Sequence, residues 1–166
     1  MRKILVIGHA RHGKDTAAEF LAKILDLNYR GSSEVCAEFI FEELGCYSTV
    51  QECFNDRSNH RAAWHQLIAK YCKDDKARLG KLIYRDNDIY CGVRAQDELD
   101  SVIAEFNPLV LWVDASERLP LEPSDSMQLS YEPRFNFIDN NKSKGWMLKQ
   151  LTRLAHLIDS TKGSLE

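Results

Sequence analysis

Short apolar runs closed by polar or turn residues recur along the chain: "KILVI" (3–7), "IYCGV" (89–93), "LVLWV" (109–113) and "FNFI" (135–138). Runs of this kind predict buried β-strands, and "LNYR" (27–30) adds a weaker fifth. Between them the spacing changes to that of helices. Ala17, Phe20, Leu21, Ile24 and Leu25 fall at i, i+3, i+4, i+7 and i+8, and Leu99, Val102, Ile103 and Phe106 repeat the stripe. A last helix carries it at Met147, Leu148, Leu151, Leu154, Ala155 and Ile158, with Ser143 as its cap. Strands too apolar to be wet on one face, alternating with helices, predict an α/β fold with a parallel sheet flanked by helices on both sides.

Two stretches depart from this rhythm. Residues 34–85 are mostly helical in pattern and read as helices inserted between the second and third predicted strands. The segment "ERLPLEPSDSMQLSYEPRF" (117–135) holds three of the four prolines and has no periodicity. A structureless connection of this length in a compact domain is characteristic of a lid or a binding loop, here about residues 116–134. No internal repeat or low-complexity tract interrupts the chain.

Composition narrows the class. A chain of 166 residues suits a single domain. A net charge of −3 with 44% hydrophobic residues points neither to a nucleic-acid binder nor to a disordered tail. Five cysteines form an odd set without a CxxC pair or matched histidine spacing, which favours neither a disulfide framework nor a zinc site. His60 and His65 are five apart, so they do not share the helix face that a metal pair requires. No apolar run approaches the roughly 20 residues that span a bilayer. The expectation is a soluble protein of a reducing, cytoplasmic compartment.

The first predicted strand leads into "GHARHGKDT" (8–16) and then into the first amphipathic helix. Strand, glycine-bracketed loop and helix together are the context of a phosphate-binding loop, GxxxxGK followed by Ser or Thr. Gly8 and Gly13 let the chain turn so that the N–H groups of His9, Ala10, Arg11, His12 and their neighbours cradle phosphate oxygens, and the helix start adds its positive dipole. Lys14 would then neutralise the β and γ phosphates of a nucleotide. The alternative is a glycine turn that merely joins strand to helix, with Lys14 solvated. Because backbone groups do the cradling, the side chains of His9, Arg11 and His12 are expected to face solvent or the lid rather than take part in catalysis.

Asp15 stands where the hydroxyl is usual. A carboxylate beside phosphates repels them unless a metal or Lys⁺ lies between. Thr16 does not simply take over, because the next helical residue points about 100° around the axis. Two roles remain for Asp15: a Mg²⁺ ligand, direct or through water, or a helix N-terminal carboxylate that orients Lys14.

"GKDT" resembles the loop of phage-type deoxynucleoside monophosphate kinases, a group of P-loop kinases. "ECFNDRSNHRAAWHQLI" (52–68), "NDIYCGVRAQDEL" (87–99), "LVLWVDASER" (109–118) and "FIDNN" (137–141) are similar to its successive blocks, in the same order and over most of the chain. The resemblance implies a P-loop NTPase fold with a five-stranded parallel sheet, an inserted helical substrate region and a mobile lid. It implies transfer of the ATP γ-phosphoryl group to a nucleoside monophosphate with Mg²⁺, by a monomer or homodimer with no nucleic-acid or membrane partner, in the host cytoplasm if phage-encoded. Other acceptors, such as a dephospho-coenzyme A-like molecule, and a non-catalytic nucleotide binder stay open.

Residue by residue, the resemblance implies that Arg94 grips the acceptor phosphate; a guanidinium at a strand's carboxyl end suits that role, or it pairs with Asp97 or Glu98. Arg57 and Arg61 share one face if "DRSNHRAAWHQLI" is helical, with Trp64 on an adjacent one, and meet the monophosphate and its base or are merely solvated. Arg118 would move with the lid onto the phosphates, or is merely exposed. Asp114 binds a metal-bound water or caps the following turn. Asn140 and Asn141 meet the adenine or serve as turn residues. Ser33, with Ser32, lies near the acceptor or caps the helix that starts at "EVCAEFIFEEL". Many P-loop kinases carry a carboxylate two residues before the arginine corresponding to Arg94, where this chain has Gly92, and Asp15 is a candidate to supply it.

Overall fold

The computed structural model describes residues 2–162. Its centre is β1 (Ile4–Ile7), buried along its whole length because it has a strand on each side and helices on both faces. One neighbour is β2 (Ile89–Cys91), the other β3 (Leu109–Asp114), and β4 (Asn136–Asp139) lies beyond β3. All three pairings are parallel, with Ile4 opposite both Ile89 and Leu109 and Asp114 opposite Asp139. The order β2-β1-β3-β4 therefore brings every strand's carboxyl end to one edge of the sheet.

Successive strand residues point to opposite faces, and β1 divides its side chains accordingly between two cores. Ile4 and Val6 join Ala17, Ala18 and Leu21 of α1 (Lys14–Leu25) and Met147 and Leu151 of α7 (Lys144–Lys162). Leu5 and Ile7 meet the opposite core, to which α2 (Ser32–Leu44), α3 (Val50–Asp56), α4 (Arg61–Tyr71), α5 (Arg78–Asp86) and α6 (Gln96–Phe106) contribute. Ser143 caps α7, its Oγ accepting the N–H of Trp146 at 3.1 Å. The prolines and turns of residues 116–134 form no helix or strand.

Among the described residues the sheet has four strands, not the expected five. Residues 27–30 are confined between Asp26, in the left-handed region at φ 52, and Gly31 at the start of α2. That leaves room for one backbone bond toward the sheet edge, Asp88 N–H to Asn28 carbonyl at 2.8 Å, which does not make a ladder. The condition set for Arg57 and Arg61 is not met either: "DRSNHRAAWHQLI" is not one continuous helix. The Asp56 carboxylate accepts from Tyr47 Oη at 2.8 Å, Asn59 Nδ2 at 2.5 Å and His60 Nε2 at 2.9 Å. These side-chain bonds compete with the helical pattern, a 3₁₀ turn follows over Arg57–Asn59, and His60 leaves the helical region. Arg57 and Arg61 consequently do not share a helix face.

Candidate functional site

At the carboxyl edge of the sheet, the chain leaves β1 and turns sharply through residues 8–13 into α1. Gly8 has φ +148 and passes so close to the Val113 carbonyl that a Cβ there would collide with it. Gly13 has φ +97, and a Cβ would lie 2.5 Å from Asn140 Nδ2. Both positions require glycine by conformation and by space. Arg11 also lies at positive φ, and the His12 N–H closes the turn on the His9 carbonyl at 3.2 Å. Lys14 opens α1 with its side chain only 10% exposed, a low value for a residue type that burial penalises unless an anion is at hand.

Both histidines of the loop are buried rather than solvent-facing. His12 Nδ1 accepts the Ala115 N–H at 3.0 Å, so a neutral ring carries its proton on Nε2, which faces the Pro120 carbonyl at 3.3 Å. His9 Nδ1 accepts the Glu122 N–H at 3.0 Å. The two rings, with centroids 5.3 Å apart, thus fasten residues 116–134 to the loop. Met127 and Leu129 bury their side chains in the α2–α6 core, and the Gln128 N–H bonds the Arg94 carbonyl at 2.9 Å.

Docking carries an acid into the loop. Glu122 Oε2 accepts the Ala10 N–H at 2.5 Å, while its Oε1 pairs with Arg94 Nη1. Arg94 therefore pairs with neither Asp97 nor Glu98 but with Glu122, 28 positions on. Burial raises the Glu122 carboxyl pKa, yet the bonds from Arg94 and Ala10 outweigh it and hold the group below the usual carboxylate value. Sequence reasoning did not single out Glu122: one acid between two prolines carries no local signal.

On the other side of the loop lies a cavity of about 380 Å³ lined by Arg11, Gly13, Thr16, Arg118, Asn140, Lys142, Lys144 and Met147. Four of these are cations. Asn140 is buried and its amide is already engaged, Nδ2 donating to the His12 carbonyl at 2.8 Å. Its carbonyl accepts Arg118 Nε at 2.7 Å, so Asn140 braces the loop and aims the arginine at once. Asn141 acts as a turn residue: its N–H bonds Asp139 Oδ1 at 2.9 Å and its amide joins Glu117 N–H to Asp114 Oδ2.

Asp114 caps the turn after β3, accepting Ser116 Oγ at 2.8 Å and Asn141 Nδ2 at 2.9 Å through Oδ2. Burial acts to raise its pKa, but these bonds prevail and lower it. Asp15 is two-thirds exposed, with Oδ2 3.8 Å from Lys14 Nζ and Oδ1 accepting Cys91 Sγ at 3.5 Å. The buried Cys91 thiol thus backs Asp15 against the end of β2. Among the described residues no group of three or more His, Cys, Asp or Glu side chains is placed to hold a metal ion.

The remaining expected residues scatter. Ser33 is exposed in the first turn of α2, whose N-cap is Gly31 with no side-chain bond, so neither serine caps the helix. Ser32 instead sits against Gly92, where φ is +112 and a Cβ would lie 3.2 Å from its Oγ. That backbone strains any side chain, and the close approach of Ser32 adds to it. Arg57 donates to the Phe54 carbonyl at 2.9 Å and lies over the Phe54 ring; Arg61 is exposed at the start of α4. Trp64 is buried in the α2–α6 core, and its indole N–H has no hydrogen-bond partner among the described residues.

No helix among the described residues is long and apolar enough to cross a membrane. Comparison with family models, curated proteins and solved structures finds no match to the chain.

Proposed function

We propose that this chain is an ATP-dependent kinase with a P-loop, and that its acceptor is a nucleoside monophosphate, a deoxynucleotide in particular. The observation that carries the reading is the cationic cavity beside the glycine-bracketed loop: Arg11, Arg118, Lys142 and Lys144 line a space of about 380 Å³ at the start of α1. Such a volume lies within the usual range for a small-molecule site, and the charge suits a polyphosphate better than an apolar ligand. Lys14 follows Gly13 of the cavity lining and attracts Glu122, the partner of Arg94, through space.

That division supports in-line transfer without a covalent enzyme intermediate. The donor's phosphates lie along the loop amides and the cavity cations, Lys14 offsets the charge of the moving group, and Arg94 grips the acceptor phosphate as a bidentate fork. Arg118, aimed by the Asn140 carbonyl, adds positive charge from the lid's first turn. Mg²⁺, when bound, offsets charge on the donor's phosphates; Asp15 and Asp114 are the carboxylates that would hold it, directly or through water. Their sparseness fits an ion that keeps several of its waters and takes one or two protein carboxylates.

A coupled assay of ADP release across ribo- and deoxynucleoside monophosphates, with Lys14→Ala as control, tests the proposal. Turnover with particular monophosphates, lost in the control, is expected. Turnover with other acceptors alone would reassign the substrate, and ATP binding without turnover would reduce the chain to a nucleotide binder.

A further inference from the structure

Glu122 is a lid side chain, yet its carboxylate sits where the loop offers donors to anions. Its side chain is only 17% exposed. One oxygen accepts the Ala10 N–H at 2.5 Å, the other engages Arg94, and Lys14 attracts it through space. The residue is not there by the accident of a flexible tip. His9 holds its backbone N–H at 3.0 Å, His12 faces Pro120, and Met127 and Leu129 anchor the segment beyond it.

A carboxylate and a phosphoryl group ask for the same partners: backbone N–H groups, a guanidinium fork, an ammonium. The phosphoryl group carries more charge and a third oxygen, so it makes the stronger claim on them. Two anions do not share one such subsite at close range.

We propose that Glu122 is a built-in competitor for a phosphoryl subsite formed by Ala10 N–H, Arg94 and Lys14. It fills the subsite in the free protein and is displaced by a phosphoryl oxyanion, which takes over Arg94 and releases the lid around Glu122. The inference rests on the phosphate-binding reading of the loop above. It accounts for two features at once: Lys14 and Arg94 keep a counter-charge without ligand, and the lid is tied to the state of the subsite. A carboxylate that acts on the acceptor's attacking oxygen would instead stay in place when phosphate is bound.

Inorganic tripolyphosphate is the probe, titrated by calorimetry into the full chain and into Glu122→Gln, with backbone amide exchange followed in parallel. Glutamine keeps an acceptor for Ala10 but loses the charge that holds Arg94, so tripolyphosphate is expected to bind about tenfold more tightly to Glu122→Gln. In the unaltered chain, saturation with tripolyphosphate is expected to speed exchange across residues 119–129 while the Ala10 amide stays protected. Equal or weaker binding by a folded Glu122→Gln, or unchanged exchange over residues 119–129 at saturation, overturns the proposal. The exchange arm needs no variant, so it decides the matter even if Glu122→Gln fails to fold. A fall of about a hundredfold in kcat at unchanged KM in Glu122→Gln would make Glu122 a catalytic group and likewise overturn it. Tighter tripolyphosphate binding without transfer to any monophosphate keeps this proposal and removes the kinase reading; transfer without the gain in affinity removes this proposal alone.

Discussion

His9 Nδ1 accepts the backbone N–H of Glu122 at 3.0 Å across 113 residues of chain. The ring is held for this by Trp112, met edge-on at 5.8 Å between centroids. A ring nitrogen accepts only while it is unprotonated, so the docking of the lid is coupled to the charge of His9.

Acid is therefore expected to loosen the lid well before it unfolds the protein. Burial, then the neighbouring His12 and Arg94, lower the His9 pKa, against Glu122 and Asp114, which act to raise it. The net value in the docked state lies below the ordinary value of about 6.5. Docking strength is then complete above that ordinary value and is lost as pH falls through the lowered one, because the undocked ring binds more protons in that window. Glu122 does not confuse the window, since its own pKa is lowered from the ordinary 4.5. The Glu122 amide resonance followed against pH is the measurement, with His9→Phe expected to abolish the transition. An amide shift that stays flat as pH falls below about 6.5 contradicts the coupling.

The loop glycines differ in what an added methyl would meet, and the cost of alanine should follow. At Gly8 it meets the Val113 carbonyl of β3, which is fixed in the sheet; at Gly13 it meets the Asn140 amide, which can swing away at the loss of its bond to His12. Gly45, at φ +61 with nothing within 4 Å, supplies a control in which only the backbone conformation is disfavoured. Urea unfolding is expected to rank Gly8→Ala as most damaging, at about 3 kcal/mol or more, Gly13→Ala near 2 and Gly45→Ala about 1. The order, rather than the individual values, is the test.

How far the sequence discloses this molecule depends on how local each cause is. The apolar runs of β1, β3 and β4 and the stripes of α1, α6 and α7 are local, and they are found where the periodicity puts them. Residues 27–30 have alternating Leu27 and Tyr29 like a strand, but the left-handed turn at Asp26 and the helix start after Gly31 leave no length for a ladder. The break between α3 and α4 accompanies side-chain bonds to Asp56 from Asn59 and His60 and from Tyr47, which lies outside the helix, and the apolar period of residues 50–71 does not reveal them. In the site the same distinction holds. Gly8, Gly13 and Lys14 announce the loop within a few residues, whereas Glu122 reaches Ala10 across 112 positions and only the packing of the lid brings it there.

Trp64 offers a stability test with a functional branch. Its ring fills the α2–α6 core, but its buried indole N–H lacks a partner among the described residues, an arrangement that costs on the order of 1–3 kcal/mol. Trp64→Phe removes that unpaired donor and some buried area together, so its unfolding free energy is expected to stay within about 1 kcal/mol of the parent. A loss well beyond that would mean that the N–H is satisfied in solution. Monophosphate affinity measured on the same variant separates the roles: unchanged affinity leaves Trp64 as packing, and a selective loss makes it the contact for the acceptor base.

Asp15 can be tested where stability and function part company. Its carboxylate is two-thirds exposed and only 3.8 Å from Lys14 Nζ, and exposed pairs contribute typically less than about 1 kcal/mol, so Asp15→Ala should unfold within that margin of the parent. Gly92 cannot be exchanged for a carboxylate without strain at φ +112 and contact with Ser32, and Asp15 lies beside the end of β2, backed by Cys91. If it holds Mg²⁺, ATP affinity in Asp15→Ala should lose most of its dependence on Mg²⁺ while affinity without the metal rises, because a negative charge has left the phosphates' neighbourhood. Affinities measured with and without Mg²⁺ give the answer. Metal dependence equal to that of the parent would sink the metal role and leave Asp15 as the group that orients Lys14.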